Sequence, residues 1–405
     1  MGRKNVILWL LNKRNNNFSR PIVRLTILGV TLGIVIMLIA VAITDGYKQA
    51  IRDKIIGIDS HIRISNYDQN PSLEPIPITY DTSLVTKLLQ HPHIKNVNAF
   101  TTKVAILKAH DMVEGAIIKG VNQDFDWKKF SQFIIAGNPP SYSADSTNRQ
   151  IAISSRLANK LQLQIGDALV SYFVQDPPRQ RKLVIGAIYE TNLPEYDDQI
   201  ILADLQILQQ INNWESNQVG GIEVTLKQFD LLDEMGAYIH QNIDYSLKAE
   251  TIKELYPNLF QWIALFDTNV VVLMIITIIV CLITIISTFF IIILEETRTI
   301  GILKTLGMKT QQVFQLFITM AIKLIIKGLL YGNSIAFLIC FLQHQFHLIK
   351  LDSATYYLPY IPIGFPVGTI LLINFGVLLI CLGTLSIPAL YISKKISPIN
   401  AIRFD

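Results

Sequence analysis

Few side chains in this sequence stand in arrangements that could do covalent chemistry. Residues 301–309 read GILKTLGMK and combine two glycines with a lysine, the residue types with which a Walker A loop holds phosphates. The glycine spacing differs from G-x-x-x-x-G-K-[ST], so we do not expect nucleotide binding here. His91 and His93 flank Pro92 in a predicted turn, where solvated side chains are favoured over a metal site. We therefore predict a protein that is not an enzyme and that binds no metal or cofactor itself.

Four long apolar stretches account for most of the chain's hydrophobicity. The sequence is 51% hydrophobic and only 16% charged, against roughly 25% charged in average soluble domains. A membrane-spanning helix needs about 20 apolar residues. The first stretch resembles a signal peptide but is longer than the usual apolar region, so we predict an uncleaved anchor. The predicted transmembrane helices are residues 22–44, 269–294, 313–342 (which includes Lys323 and Lys327) and 364–391.

The distribution of basic residues predicts the orientation of these helices. Lys and Arg are enriched on the cytoplasmic side of membranes. Residues 1–21, 295–312 and 392–405 are rich in Lys and Arg, so we place all three in the cytoplasm. Residues 45–268 contain 20 basic and 27 acidic residues, a net charge of −7, and are predicted to lie outside together with a loop at 343–363.

The external segment has an α+β pattern. Short runs with period-two alternation, such as HIRIS at 61–65, alternate with helical runs such as SLVTKLLQ at 83–90. Breaks near 120–125 and 216–221 predict two lobes, with residues 122–218 inserted into the other lobe. The three cysteines lie inside predicted spans, so the external domain must be stabilised by its core and not by disulfides.

Residues 295–312, EETRTIGILKTLGMKTQQ, predict a short amphipathic helix between two spans. Apolar residues at helical spacing would seat in a protein groove, or the helix would lie on lipid headgroups. Periodicity alone does not separate these alternatives. The residues that would make contacts are Arg298, Ile300, Gly301, Leu303, Lys304, Leu306, Gly307 and Lys309.

Two segments resemble a known family. EETRTIGILKTLGMKTQQVF resembles the segment between the second and third spans of FtsX/MacB-like ABC transporter permeases. The tail PALYISKKISPINAIRFD resembles the closing pattern of that family, with Pro388, Pro398, Ala401 and Arg403 at the matching positions. The resemblance implies one span, a large periplasmic domain and three further spans in the bacterial inner membrane, with both termini cytoplasmic.

Two external segments resemble the lipoprotein-release (LolC/LolE) branch of this family. One is VAITDGYKQAIRDKIIGIDSHIRI at 41–64, where Asp45, Tyr47 and Ser60 depart from the usual residues. The other is LVIGAIYETNLPEYDDQIIL at 183–202, which carries the E-Y-D motif at residues 195–197. The resemblance implies a permease that extracts lipoproteins from the outer leaflet. MacB-like tripartite efflux, or another FtsX-type mechanotransmission role, is the alternative.

The resemblance also implies partners and a substrate path. A separate cytoplasmic ABC ATPase dimer, which uses ATP and Mg, would bind the helix at 295–312 and drive the external domain by mechanotransmission. A second permease copy or a paralogue, a lipoprotein substrate and a periplasmic carrier complete the system, without nucleic acid. The substrate cavity would be lined by Ile34, Met37, Leu38, Val41, Val272, Ile275 and Ile276.

Residues 174–182, VQDPPRQRK, join two predicted strands as a hairpin tip. Two consecutive prolines stiffen the tip and exclude it from a central strand. In the lipoprotein-release branch the matching hairpin of one permease is a hook for the carrier, although this tip is shorter. A plain two-proline turn is the alternative. The predicted carrier contacts are Gln175, Asp176, Pro177, Pro178 and Arg179.

Overall fold

The computed structural model describes residues 19–67, 74–143 and 146–395. The chain forms two compact units. The helical unit comprises residues up to 49, 262–350 and those from 360 onward; the sheet domain comprises residues 50–261 and 351–359. Most of the predicted cytoplasmic N-terminus and the motif residues Pro398, Ala401 and Arg403 lie outside the described residues.

The α-helices, in chain order, are α1 (Ser19–Ile58), α2 (Thr82–Leu89), α3 (Trp127–Phe130), α4 (Ser155–Lys160), α5 (Pro194–Asp197), α6 (Leu205–Asn212), α7 (Leu232–Asn242), α8 (Ile252–Leu255), α9 (Pro257–Glu295), α10 (Thr297–Thr305), α11 (Thr310–Phe346), α12 (Ser353–Tyr356) and α13 (Val367–Lys395). In the described part of the chain, four helices are long and apolar enough to cross a membrane, within α1, α9, α11 and α13. They coincide with the four apolar stretches of the sequence. Helix α1 continues to Ile58 and α9 begins at Pro257, well beyond the apolar stretches.

Glycines allow the helices of the helical unit to approach one another closely. Gly29 and Gly33 of α1 face Thr284 and Cys281 of α9. On α11, a Cβ at Gly332 would lie 2.7 Å from Cβ of Ile34 in α1. Small residues at such spacing permit close helix packing in membranes. The G-x-x-x-G motif of α1 (Gly29 and Gly33) and that of α11 (Gly328 and Gly332) therefore pack helices within the chain.

An amide pair links α11 to α13. The Asn333 Nδ2 group donates to Asn374 Oδ1 at 2.6 Å, and Asn374 Nδ2 donates to Asn333 Oδ1 at 3.1 Å. Each amide also bonds a carbonyl one turn earlier in its own helix, that of Leu329 or Ile370. Every amide hydrogen bond is therefore satisfied by the protein itself, as a medium without water requires.

The strands are β1 (Ile62–Asn66), β2 (Ile78–Thr79), β3 (Ile94–Ala109), β4 (Met112–Val121), β5 (Ile134–Gly137), β6 (Gln150–Ser154), β7 (Ala168–Phe173), β8 (Arg179–Tyr189), β9 (Ile200–Asp204), β10 (Gln218–Val219), β11 (Gly221–Leu226) and β12 (Leu247–Thr251). Ten of them form one sheet in the order β12-β1-β11-β3-β4-β9-β6-β8-β5, with β7 paired to β3 and β8. The β4/β9 and β6/β8 pairs are parallel and the other pairs of this sheet are antiparallel.

This sheet runs through both predicted lobes. Strands β5 to β9 come from the segment 122–218, and they join β1, β3, β4, β11 and β12 without a break. One apolar core, which includes Ile118, Ile153, Leu183 and Leu208, packs between this part of the sheet and helices α4 and α6. The inserted lobe therefore stays a prediction, while the mixture of strands and helices agrees with the sequence.

Candidate functional site

The predicted ATPase-binding helix is α10, flanked by two long helices. Ile300 is buried in the apolar cluster of the helical unit, together with Val313 at the start of α11. The exposed apolar residues are Ile302, 48% exposed, and Leu306, 79% exposed. The face that is free to contact a partner therefore includes Leu306 and Ile302, whereas Ile300 packs inward.

The remaining residues of this segment shape its ends. Gly307 has φ of +89°, the left-handed conformation that suits the residue after a helix. Lys309 is exposed, and its N–H donates to Gln312 Oε1 at 2.9 Å at the start of α11. Gly301 is buried, while Leu303 and Lys304 are half-buried. The side chain of Arg298 lies outside the described part of the structure.

The predicted cavity residues fall into two groups. Ile34, Met37, Leu38 and Val41 of α1 are buried in the apolar cluster of the helical unit. In contrast, three residues of α9 are more than half exposed, namely Val272, Ile275 and Ile276. Of the predicted cavity residues, those of α9 are therefore the exposed ones in the structure.

Leu38 also lines a cavity of about 370 Å³ within the helical unit. The walls come from α1, from α11 and from the start of α13, and they are mostly apolar. Asn333, one member of the amide pair, is among the few polar groups of the lining. The other wall residues are Ala42, Ser334, Ala336, Phe337, Cys340, Phe365 and Ile370.

The predicted hairpin tip joins β7 to β8, with Phe173 opposite Arg179. The Arg179 guanidinium donates to the carbonyl of Gln210 at 2.6 Å and to Asn213 Oδ1 at 2.7 Å. Gln175 Nε2 donates to the carbonyl of Ile211 at 3.1 Å. Both side chains therefore satisfy acceptors at the C-terminal end of α6. Asp176, Pro177 and Pro178 are exposed, and the Asp176–Pro177 peptide bond is cis.

A buried carboxylate, which the sequence did not single out, brings together the two segments that resemble the lipoprotein-release branch. Asp59 Oδ2 accepts from Arg63 Nη2 at 2.7 Å. It also accepts from Tyr196 Oη and from Tyr256 Oη, each at 2.9 Å. Tyr196 is the tyrosine of the E-Y-D motif, and it lies 137 positions from Asp59. The next residue, Asp197, accepts from the Thr191 hydroxyl at 2.7 Å and so fixes the loop that carries Tyr196.

The charges around Asp59 fix its ionisation. Burial alone would raise the pKa of Asp59, but Arg63 and Lys119 hold this pKa well below its usual range. Burial and the neighbouring carboxylate raise the pKa of Tyr196 and of Tyr256. At neutral pH the site is therefore an ionised carboxylate that accepts from two neutral hydroxyls and a guanidinium, an arrangement of charge-assisted hydrogen bonds. Asp59, Arg63, Tyr196 and Tyr256 are called the Asp59 cluster below.

Two family models together match most of the chain. Residues 24–242 match the MacB-like periplasmic core domain. Residues 271–396 match the FtsX-like permease C-terminal region. The chain therefore belongs to the family of ABC transporter permeases with a MacB-like periplasmic core domain and an FtsX-like permease region.

Curated relatives are similar to this chain over most of its length. LolC of Xylella fastidiosa (strain Temecula1), a lipoprotein-releasing system transmembrane protein, is 19% identical over 98% of this chain and 97% of its own. LolC of Buchnera aphidicola subsp. Schizaphis graminum is 23% identical over 85% of this chain and 84% of its own. LolE of Haemophilus influenzae is 20% identical over 79% and 77%, respectively.

Two solved structures are each similar to about half of the chain. The periplasmic region of MacB from Actinobacillus actinomycetemcomitans is 12% identical, covers 51% of this chain and 95% of that chain, and gives a TM-score of 0.34. The extracellular domain of the ABC-type transporter YknZ from Gram-positive bacteria is 14% identical, covers 47% of this chain and all of that chain, and gives a TM-score of 0.33.

Proposed function

We propose that this chain is the permease subunit of an ABC transporter that extracts lipoproteins from the outer leaflet of the bacterial inner membrane and passes them to a periplasmic carrier. The observation that carries the proposal is the match, over 98% of the chain, to a protein named as a lipoprotein-releasing system transmembrane protein. The match includes the spans, the sheet domain and α10 together. In this proposal the chain itself binds no cofactor, and a separate ATPase dimer binds ATP and Mg.

Transport proceeds by mechanotransmission. ATP closes the ATPase dimer, α10 moves with it, and α1 and α9 carry the movement toward the sheet domain. Support comes from the continuity of α1 through residues 19–58 and of α9 through residues 257–295. The exposed residues Val272, Ile275 and Ile276 contact the lipid chains of the substrate or a second permease.

The carrier is captured at the exposed part of the hairpin tip. Asp176, Pro177 and Pro178 are the available contacts, because Gln175 and Arg179 bond the end of α6. A stiff tip loses little conformational entropy when it binds, which favours recognition.

Depletion of the chain tests the transport function. Lipoproteins destined for the outer membrane should accumulate in the inner membrane, as measured by membrane fractionation. The MacB-like core domain match favours tripartite efflux as the second candidate. Efflux instead predicts sensitivity to a drug or toxin with lipoproteins correctly sorted. Normal sorting in a strain without a paralogue would exclude lipoprotein release.

The coupling role of α10 has its own test. Leu306→Asp places a charge on a residue that is 79% exposed, so the chain should fold while co-purification of the ATPase falls. Ile300→Asp is the matched comparison: it buries a charge in the helical unit, so the amount of folded chain should fall instead. Full ATPase binding and transport by Leu306→Asp would remove α10 from the coupling interface.

A further inference from the structure

Three separate segments of the sheet domain meet at the buried carboxylate of Asp59. Asp59 directly follows the last residue of α1. Tyr256 directly precedes Pro257, the first residue of α9. Tyr196 lies in α5, within the loop fixed by Asp197. The two tyrosine hydroxyls also lie 3.0 Å from each other. The helix that leads from the first span and the helix that leads to the second are therefore tied to the same oxygen atom.

The Asp59 cluster is also tied to the sheet. Arg63 lies in β1, beside β11 and β12. The Nζ atom of Lys119 in β4 lies 3.5 Å from Asp59 Oδ1 and 2.5 Å from Oε1 of Glu223 in β11. Asn98 of β3 donates to Glu223 Oε2 at 2.9 Å. Four neighbouring strands thus share one buried set of charges with the ends of α1 and α9.

This arrangement resists relative movement. Asp59, Lys119 and Glu223 are buried side chains, and a buried charge that loses its partner costs several kcal/mol. If α1 and α9 turned independently, at least one hydroxyl would leave the carboxylate, and buried Asp59 would lose a hydrogen-bond donor. The lowest-energy movement keeps the bonds and moves both helix ends with the sheet.

We propose that the Asp59 cluster is the joint that makes the end of α1, the start of α9 and the sheet move as one body, and that its residues are positioning residues for mechanotransmission. The inference rests on the proposed function for the source of the movement. It assigns a role to both segments that resemble the lipoprotein-release branch: one supplies Asp59 and Arg63, and the other supplies Tyr196. The resemblance itself had left these residues without one.

The test compares Tyr→Phe variants, each of which removes only the hydroxyl group of the tyrosine. In the full complex with its ATPase, hydrogen–deuterium exchange of β1 and β12 is measured with and without trapped ATP. The double variant Tyr196→Phe/Tyr256→Phe removes both hydroxyl bonds to Asp59. The control is Tyr189→Phe in β8: Tyr189 is buried like Tyr196, and its hydroxyl donates to the carbonyl of Ile200 at 2.6 Å. A purely structural role for these hydroxyls predicts similar behaviour of the two proteins.

The wild type should show an ATP-dependent change in exchange at β1 and β12. In the double variant this change should shrink by about tenfold or more, because each of the two lost hydrogen bonds to the charged group is worth about a power of ten in an equilibrium constant. ATP hydrolysis and ATPase binding should stay intact in the variant, and Tyr189→Phe should behave as wild type. Release of a radiolabelled lipoprotein from vesicles should fall in parallel.

Two results would overturn the joint. One is an equal loss in the double variant and in Tyr189→Phe. The other is the lack of any ATP-dependent change in exchange in the wild type. Asp59→Asn is a stronger variant, since it leaves Arg63 without its counter-charge, and the tyrosine variants decide the matter if Asp59→Asn does not fold. If the wild type released no lipoprotein, while the exchange difference between the wild type and the double variant was as expected, the result would count against the proposed substrate and not against the joint.

Discussion

At the residue scale, buried polar groups of the sheet domain are held in defined protonation states. Beside the Asp59 cluster, His61 Nδ1 accepts from the N–H of Leu226 at 3.2 Å, which requires an unprotonated Nδ1. Burial, helped by the nearby cations Lys129 and Lys95, lowers the pKa of His61 to about 4. His61 is therefore neutral in the folded chain at physiological pH.

We expect His61 to make the sheet domain sensitive to mild acid. In the unfolded chain a histidine binds a proton near pH 6.5, whereas folded His61 binds one only near pH 4. The stability that neutral His61 contributes is therefore complete above pH 6.5 and is lost as the pH falls toward 4. His61→Asn keeps an acceptor for Leu226 but does not titrate.

Thermal unfolding of the purified chain between pH 7 and pH 4 checks this expectation. The wild type should lose about 3 kcal/mol more than His61→Asn over this range. Parallel pH profiles of the two proteins would mean that His61 does not titrate as stated.

A single sequence gives little information on such clusters. The segments that carry Asp59 and Tyr196 were recognised by resemblance, but nothing in the spacing of either indicates that they touch across 137 positions. Lys119 and Glu223 lie in strands whose pattern predicts burial, where a charged residue is normally read as exposed. Partners that are distant in sequence and neutralise each other become visible only when the sheet order is known.

At the scale of elements, the close approach of α1 and α11 should depend on Gly332. Gly332→Leu would place side-chain atoms where Cβ of Ile34 already lies, 2.7 Å from the new Cβ. Overpacking of this kind typically costs about 1–3 kcal/mol. Gly376→Leu on α13 is the matched control, because a Cβ there meets no atom within 4 Å.

Thermal unfolding in detergent compares Gly332→Leu with its control Gly376→Leu. Gly332→Leu should lower the unfolding temperature, whereas Gly376→Leu should leave it unchanged. Equal effects of the two substitutions would show that added bulk in the membrane, and not contact with Ile34, destabilises the chain.

The hairpin tip should separate into an anchor and a contact surface. Arg179→Ala removes two hydrogen bonds to the end of α6 and should cost about 1–2 kcal/mol of stability. Arg181→Ala is its control, since the side chain of Arg181 donates to the neighbouring carbonyl of Gln180.

Replacement of Pro177-Pro178 by Gly-Gly should instead weaken capture of the carrier in a pull-down, at unchanged ATPase activity. Unchanged capture would make the tip an ordinary turn.

The existence of the elements was more predictable than their orientation. Apolar length alone located the four long apolar helices, because a bilayer imposes a minimum length on a helix that crosses it. The β7/β8 hairpin followed from its alternation and its prolines. The amphipathic pattern of 295–312 predicted a helix, but it did not predict which apolar residues would be buried. Ile300 is buried in the helical unit, whereas Leu306 is exposed. Periodicity defines an apolar face, whereas the neighbour that covers it depends on the tertiary structure.

At the scale of the whole molecule, the orientation in the membrane that the charge distribution predicts can be tested directly. Tyr245 of the sheet domain is 94% exposed and Leu306 is 79% exposed, while the three native cysteines are buried. A membrane-impermeant maleimide should therefore label Tyr245→Cys in intact spheroplasts. Leu306→Cys should react only after the membrane is permeabilised, and the chain without added cysteine should not react. The reverse pattern would invert the proposed topology.

The Asn333–Asn374 pair has a consequence for the evolution of this chain. A change of either residue to an apolar one leaves the other amide without its partner in hydrocarbon, so single changes should be selected against. A simultaneous change to two apolar residues removes both groups and restores a compatible pair. Among relatives, these two positions should therefore covary: both polar in some lineages, both apolar in others, and rarely mixed.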